Sequence, residues 1–232
     1  MISGCFLTVM TKQWIIDTYS LNARGGGKTG FFRDLFSPSK REVWESLCSE
    51  IEADLVPGGF WKGDKVVARA GQWVLTLDTY TVSTGKTSTT YTRMRAPYVN
   101  KDGFRFKIYR KGLFSELGKL LGMQDIEVGF PDFDDNFIIK GNDPEKLKEL
   151  FANPGIRELI ELQPQIYLEV KDDEGWFGSY FPEGVDELFF QVVGIIKDVD
   201  RLKALYYLFA EVLEQLYKMG SAGGEAPDVQ LR

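Results

Sequence analysis

The chain has 232 residues, 44% of them hydrophobic and 14% aromatic, which is ample material for a core that leans on Phe, Tyr and Trp. Its net charge of -6 argues against dedicated nucleic-acid binding, and the absence of histidine excludes a Ser-His-Asp triad, a Cys-His pair, HExxH zinc chemistry and histidine phosphotransfer within this chain. Two cysteines, Cys5 and Cys48, do not make a disulfide framework, so a reducing, cytoplasmic compartment is expected.

Met1 to Met10 is mildly apolar but has no basic n-region and is followed by Thr11, Lys12 and Gln13, so it does not read as a signal peptide. No apolar run approaches the ~20 residues of a membrane-spanning helix. Gln13 to Asn22 is compatible with a strand or with the end of a helix. Gly25-Gly26-Gly27-Lys28-Thr29 has the look of a phosphate-binding loop, yet Asn22 stands where G-x-x-x-x-G-K-[ST] needs its first glycine, and Pro38 interrupts any helix started at Phe31. Ser37 or Ser39 is a good N-cap for a helix from about Lys40 to Leu55, with Val43, Trp44, Leu47, Ile51 and Leu55 on one face. Pro57-Gly58-Gly59 ends it.

From Lys65 to Lys111 the hydrophobic period changes to two. Val66–Ala70, Trp73–Val82, Ser88–Pro97 and Phe104–Lys111 read as four strands, and the short connections between them predict an antiparallel meander. Phe104, Phe106 and Ile108 point one way; Arg105, Lys107 and Tyr109 point the other. Tyr91, Arg93 and Arg95 likewise share a face. Where the two faces coincide, four cations and two tyrosines line one side of the sheet, suited to an anionic partner. The competing reading is a solvated face whose charges are balanced by acids such as Asp78.

Leu113–Leu121 reads as a short helix closed by Gly122. Asp125 to Val128 alternates like a half-buried strand, Gly129-Phe130-Pro131-Asp132 is a turn, and Asn136–Lys140 is a second strand. Asp143 then caps a helix with Pro144 at its first position. Asp132, Asp134 and Asn136 match the first three positions of a calcium loop, but Phe137 occupies the required glycine and Asp143 the closing glutamate. With Asp125, Glu127 and Asp135 they form the acidic cluster that a carboxylate-dependent, metal-assisted phosphoryl chemistry would use. A divalent cation is the cofactor that reading requires; the leading reading requires none.

Glu145–Phe151 and Gly155–Leu162 follow as helices broken at Asn153-Pro154, then a strand at Gln165–Val170 and a turn at Asp172-Asp173-Glu174-Gly175. Leu188–Ile196 reads as a strand and Asp198–Met219 as the longest helix, with a wide apolar stripe through Leu202, Leu205, Phe209 and Leu213. Residues 220–232 read as a disordered tail. The chain thus divides into an N-terminal segment 1–60, an α+β body 61–219 and the tail, or into one domain 1–219 and the tail.

Several runs carry a resemblance: Tyr91-Thr92-Arg93-Met94-Arg95-Ala96-Pro97, the Phe104-x-Phe106-x-Ile108-Tyr109-Arg110 strand, Gly122-Met123-Gln124-Asp125-Ile126, and Phe133-Asp134-x-x-Phe137-x-Ile139-Lys140-Gly141-Asn142. The chain resembles bacterial hypothetical proteins of unknown function. From Ile126 onward it is similar to the soluble part of a broader group of uncharacterised bacterial proteins, in which an F-D-x-x-F strand precedes a short helix, further strands and a long helix. Members of that group often carry membrane-spanning helices upstream, which this sequence does not show, so an association with a membrane component is implied by the resemblance only. It implies no activity.

The expected fold class is therefore α+β: antiparallel meander sheet packed with several short helices and a long C-terminal helix. The expected function is non-enzymatic, a soluble binding or interaction domain presenting Tyr91, Arg93, Arg95, Arg105, Lys107 and Tyr109 to a protein or small anionic ligand. The alternative is the carboxylate-dependent metalloenzyme.

Overall fold

The structure is a computed structural model, and it describes residues 38–59, 63–112, 125–172, 181–229 and 231. The glycine loop at 25–29, the helix expected at 113–121 and most of the turn at 172–175 lie outside the described residues. The rest is an α+β fold in which one eight-stranded antiparallel sheet carries its helices against one face.

Helix α1 (Lys40–Ile51) starts on a capping box: Ser39 accepts from the Glu42 N–H while the Glu42 carboxylate accepts from the Ser39 N–H. It stops a turn earlier than its apolar spacing suggests. Glu52 takes a left-handed conformation (φ 54°), and the residues expected to finish the helix become the edge strand β1 (Asp54–Val56). There Leu55 pairs with Val66 of β2 (Lys65–Ala70), so sheet hydrogen bonds replace the last helical ones. Strands β3 (Trp73–Ser83) and β4 (Ser88–Val99) continue the meander as predicted.

The fourth expected strand, β5 (Phe106–Arg110), does not join that meander. After β5 come the short helix α2 (Pro131–Asn136), β6 (Phe137–Gly141), helices α3 (Pro144–Ala152) and α4 (Pro154–Glu161), then β7 (Tyr167–Lys171), β8 (Val185–Val193) and helix α5 (Val199–Lys218). The strand order is β1-β2-β3-β4-β8-β7-β5-β6. β8 takes the edge of β4 along its whole length, from Tyr91↔Val193 to Val99↔Val185. Residues 185–190 are all buried, which marks β8 as a central strand covered on both sides.

Register defines two faces. One row runs Val66, Leu77, Met94, Phe190, Leu168, Ile108, Ile139 across seven strands, every residue buried. Helix α5 packs on this face through Leu202, Leu205, Leu208, Phe209, Val212 and Leu216, and Phe106 meets Phe151 of α3 edge-on. The opposing row runs Val67, Thr76, Arg95, Phe189, Glu169, Lys107, Lys140. We call this second side the polar face.

Two local expectations need correction. Asp125–Val128 is not a ladder strand; Ile126 N–H donates to the Ile139 carbonyl (2.9 Å), but the Ile139 N–H donates to the Asp125 carboxylate (3.0 Å) rather than to a backbone. A side chain thereby closes the outer edge of β6, where a further strand would otherwise attach. The segment after α5 is not a loose tail at its start. Gly220 (φ 78°) reverses the chain, Ser221 and Ala222 are buried, and the Gly223 N–H donates to the Val99 carbonyl (2.8 Å). Small polar residues that read as disordered are here small enough to fit against β4.

Candidate functional site

The polar face brings Arg93, Arg95, Lys107, Tyr91 and Tyr109 onto one side of the sheet, but β8 and β7 stand between the β4 and β5 groups. Arg105 leaves the set: its guanidinium reaches around the end of the sheet to Asp186 (2.8 and 3.0 Å), which lies opposite Tyr98 on the helix-covered side, and to Asp172 (2.7 Å). The predicted cationic surface is therefore two separate clusters, each interleaved with acids.

The first cluster centres on Asp78 of β3. Its carboxylate accepts from Arg93 Nε (2.6 Å) and Nη2 (3.2 Å) on one side and from Arg95 Nη2 (2.6 Å) on the other. Arg95 is buried and Arg93 half-buried, so these charge-assisted bonds form where water competes poorly. Beside them Tyr80 and Tyr91, cross-strand partners in register, stack at 5.1 Å between centroids, and the Arg93 guanidinium lies 4.9 Å from the Tyr80 ring. The Tyr80 hydroxyl donates to Gln191 of β8 (2.7 Å). Burial, with smaller contributions from Tyr91 and Asp78, pushes its pKa above the usual tyrosine value against the pull of Arg93, so it stays a neutral donor.

Asp78, Tyr80, Arg93 and Arg95 line a cavity of about 600 Å³, bounded on its other sides by Lys65, Leu231 and the Pro57-Gly58-Gly59 stretch. Its described lining holds three cations, Lys65, Arg93 and Arg95, and one carboxylate. Sequence reasoning found Arg93, Arg95 and Tyr91. It treated Asp78 only as a screening charge, and missed Tyr80 and Gln191, whose signals were their register with Tyr91 and Arg93.

The second cluster lies across β7, β5 and β6. Lys107 pairs with Glu169 (2.9 Å), and the Tyr167 hydroxyl donates to the same carboxylate (3.0 Å). Burial works against the Lys107 ammonium, but its hydrogen bonds to Tyr167 and Glu169 outweigh this and hold its pKa above the ordinary lysine value. Tyr109 stacks near Tyr167 at 6.4 Å. Lys140, opposite Lys107, was not anticipated as a site residue; only the pairing of β5 with β6 places it there.

The acidic stretch does not assemble into a metal centre. Asp134 accepts from three consecutive backbone N–H groups, those of Val128 (3.0 Å), Gly129 (2.9 Å) and Phe130 (3.0 Å). Asp125 is engaged by Ile139, Asn136 donates to the Asp132 carbonyl (2.8 Å), and Asp132, Asp135 and Glu127 are exposed without converging. Among the described residues no three acidic or cysteine side chains gather as ligands would. The D-x-D-x-N spacing belongs to a helix start: α2 begins at Pro131, and Asp134 ties it to the chain before it.

Among the described residues no helix is long and apolar enough to cross a membrane. Comparison with family models, with curated proteins and with solved structures finds no match to this chain.

Proposed function

We propose that this chain is a non-enzymatic binding module that captures the anionic group of a protein or small ligand on its polar sheet face, in the cavity beside Arg93 and Arg95. One observation carries the reading: a single carboxylate, Asp78, positions two guanidiniums within a cavity whose described lining is otherwise cationic or neutral. A bridging carboxylate orients both forks at little cost in side-chain entropy, which is the preorganisation that oxyanion recognition needs. Tyr80, held by its stack on Tyr91, adds aromatic surface to the lining, suited to an apolar or aromatic body attached to the anion. On this reading the module works in the cytoplasm, as its cysteine usage suggests, and the resemblance to uncharacterised bacterial proteins implies association with a membrane component.

Thermal melting with millimolar inorganic phosphate or citrate, at constant ionic strength, tests it. A ligand at a hundred times its Kd contributes ~2.7 kcal/mol, a rise of roughly 5–10 °C for a chain of this size. Arg93→Gln, which leaves the Asp78–Arg95 pair in place, should remove the rise, while Lys107→Gln should not. A wild-type transition that neither anion moves, or an equal rise in Arg93→Gln, defeats the proposal.

A further inference from the structure

The cavity of the second cluster has a feature that the first does not. Lys140 is only 6% exposed, and among the described residues nothing forms a hydrogen bond or ion pair with its ammonium. It lines a cavity of about 200 Å³ with Arg105, Lys107, Glu169, Lys171 and Asp172. Every neighbouring cation has its counter-charge: Lys107 on Glu169 (2.9 Å), Lys171 on Glu187 (3.2 Å), Arg105 on Asp172 (2.7 Å) and Asp186 (2.8 Å). Lys140 is the cation left over from such a set, and a bound anion is the direct way to give its ammonium a counter-charge.

We propose that this cavity is a second ligand site, taking a small monoanionic carboxylate whose head group sits on Lys140 Nζ and whose apolar body lies along the lysine stems. The charge argues for a monoanion, because a single cation is left without a partner among the described lining residues. The donor geometry argues for a carboxylate over a phosphoryl group: the Arg105 fork that would grip a phosphate bidentately is already spent on Asp186 and Asp172, leaving one point charge. The size argues for a small ligand, since drug-sized sites run from ~300 Å³ upward. The aliphatic stems of Lys107, Lys140 and Lys171 give such a ligand apolar surface to cover. The site does not depend on the Arg93 cavity, from which β8 separates it.

Isothermal titration of the full chain with sodium benzoate and with sodium butyrate, at matched ionic strength, tests the assignment. One of the two carboxylates should bind with single-site stoichiometry. Lys140→Met should weaken it by roughly tenfold or more, the worth of one charge-assisted contact. Lys140→Arg should keep part of the affinity, and Arg93→Gln should keep all of it, so that failure here and failure of the first cavity are separable. Without ligand, Lys140→Met should melt at or above the wild-type temperature, because it breaks no hydrogen bond or ion pair among the described residues. Binding of neither carboxylate, or unchanged binding in Lys140→Met, would overturn the proposal. So would a Lys140→Met variant melting well below wild type, which would make the ammonium a structural group. Inorganic phosphate binding Arg93→Gln more tightly than either carboxylate would overturn the monoanion assignment.

Discussion

Asp78 shows how one side chain can decide whether a sheet face is tolerable. Two guanidiniums two residues apart on β4 project to the same side, and Arg95 has 1% of its side chain exposed. Repulsion and desolvation would both oppose that arrangement without the carboxylate across the ladder. Asp78→Asn keeps the size and one acceptor but removes the charge, and should destabilise the protein by about 3 kcal/mol, the cost of breaking a buried pair. Urea denaturation measures it; a midpoint equal to wild type would mean that the carboxylate is not what holds the guanidiniums. Asp134 makes the complementary point. A carboxylate in a metal-like spacing can be consumed by backbone N–H groups, and only the turn geometry reveals which.

At the scale of elements, the end of α5 is clasped to the β4–β5 connection and to α3. Asp102 accepts from Ser221 Oγ (2.7 Å), from the Phe104 N–H (2.9 Å) and from Lys146 Nζ, while the Lys101 N–H donates to the Ser221 carbonyl (2.9 Å). Burial alone would raise the Asp102 pKa, but the bonds from Lys146, Ser221 and Phe104 together bring it below the ordinary aspartate value. A carboxyl with a depressed folded pKa contributes stability that is present above its unfolded value, near ~4, and is lost as pH falls through the lower folded value. Asp102→Asn should therefore melt below wild type at neutral pH, and the gap should close as pH falls below ~4. Melting curves from neutral pH into that acid range decide this, and a gap that stays constant would show that the clasp does not depend on the charge.

At the scale of the molecule, β8 joins what would otherwise be two smaller sheets, β1–β4 and β7–β5–β6. Phe190 sits at that seam, opposite Met94 on one side and Leu168 on the other, and is fully buried under α5. Phe190→Ala should cost about 3–5 kcal/mol through lost burial and the cavity left behind. Because the seam is shared, tryptophan fluorescence and far-UV dichroism should still report one transition, shifted to lower urea; two separated transitions would mean that the halves fold independently. The same long-range closure explains why the cationic residues, expected as one surface, form two clusters.

Much of this architecture was legible in local pattern. Ser39, Asp143 and Asp198 announce α1, α3 and α5 because a capping oxygen and the first turn are neighbours in sequence. The period-two runs of β2, β3 and β4 and the apolar stripe of α5 are likewise repeats over a few residues, so the α+β class and most elements could be read from the chain alone. Pairing could not. Nothing near Phe106 states that its strand will lie beside Tyr167–Lys171 rather than Ser88–Val99, because the choice depends on where a strand almost eighty residues later, buried from 185 to 190, finds cover on both faces. The division of Arg93 and Arg95 from Lys107, the pairing of each with its acid, the placing of Lys140 beside Lys107, and the use of Asp125 and Asp134 as backbone caps all follow from that choice. Periodicity records which side of its own element a residue faces; which residues meet across elements is settled only by the tertiary packing that buries the whole apolar row at once.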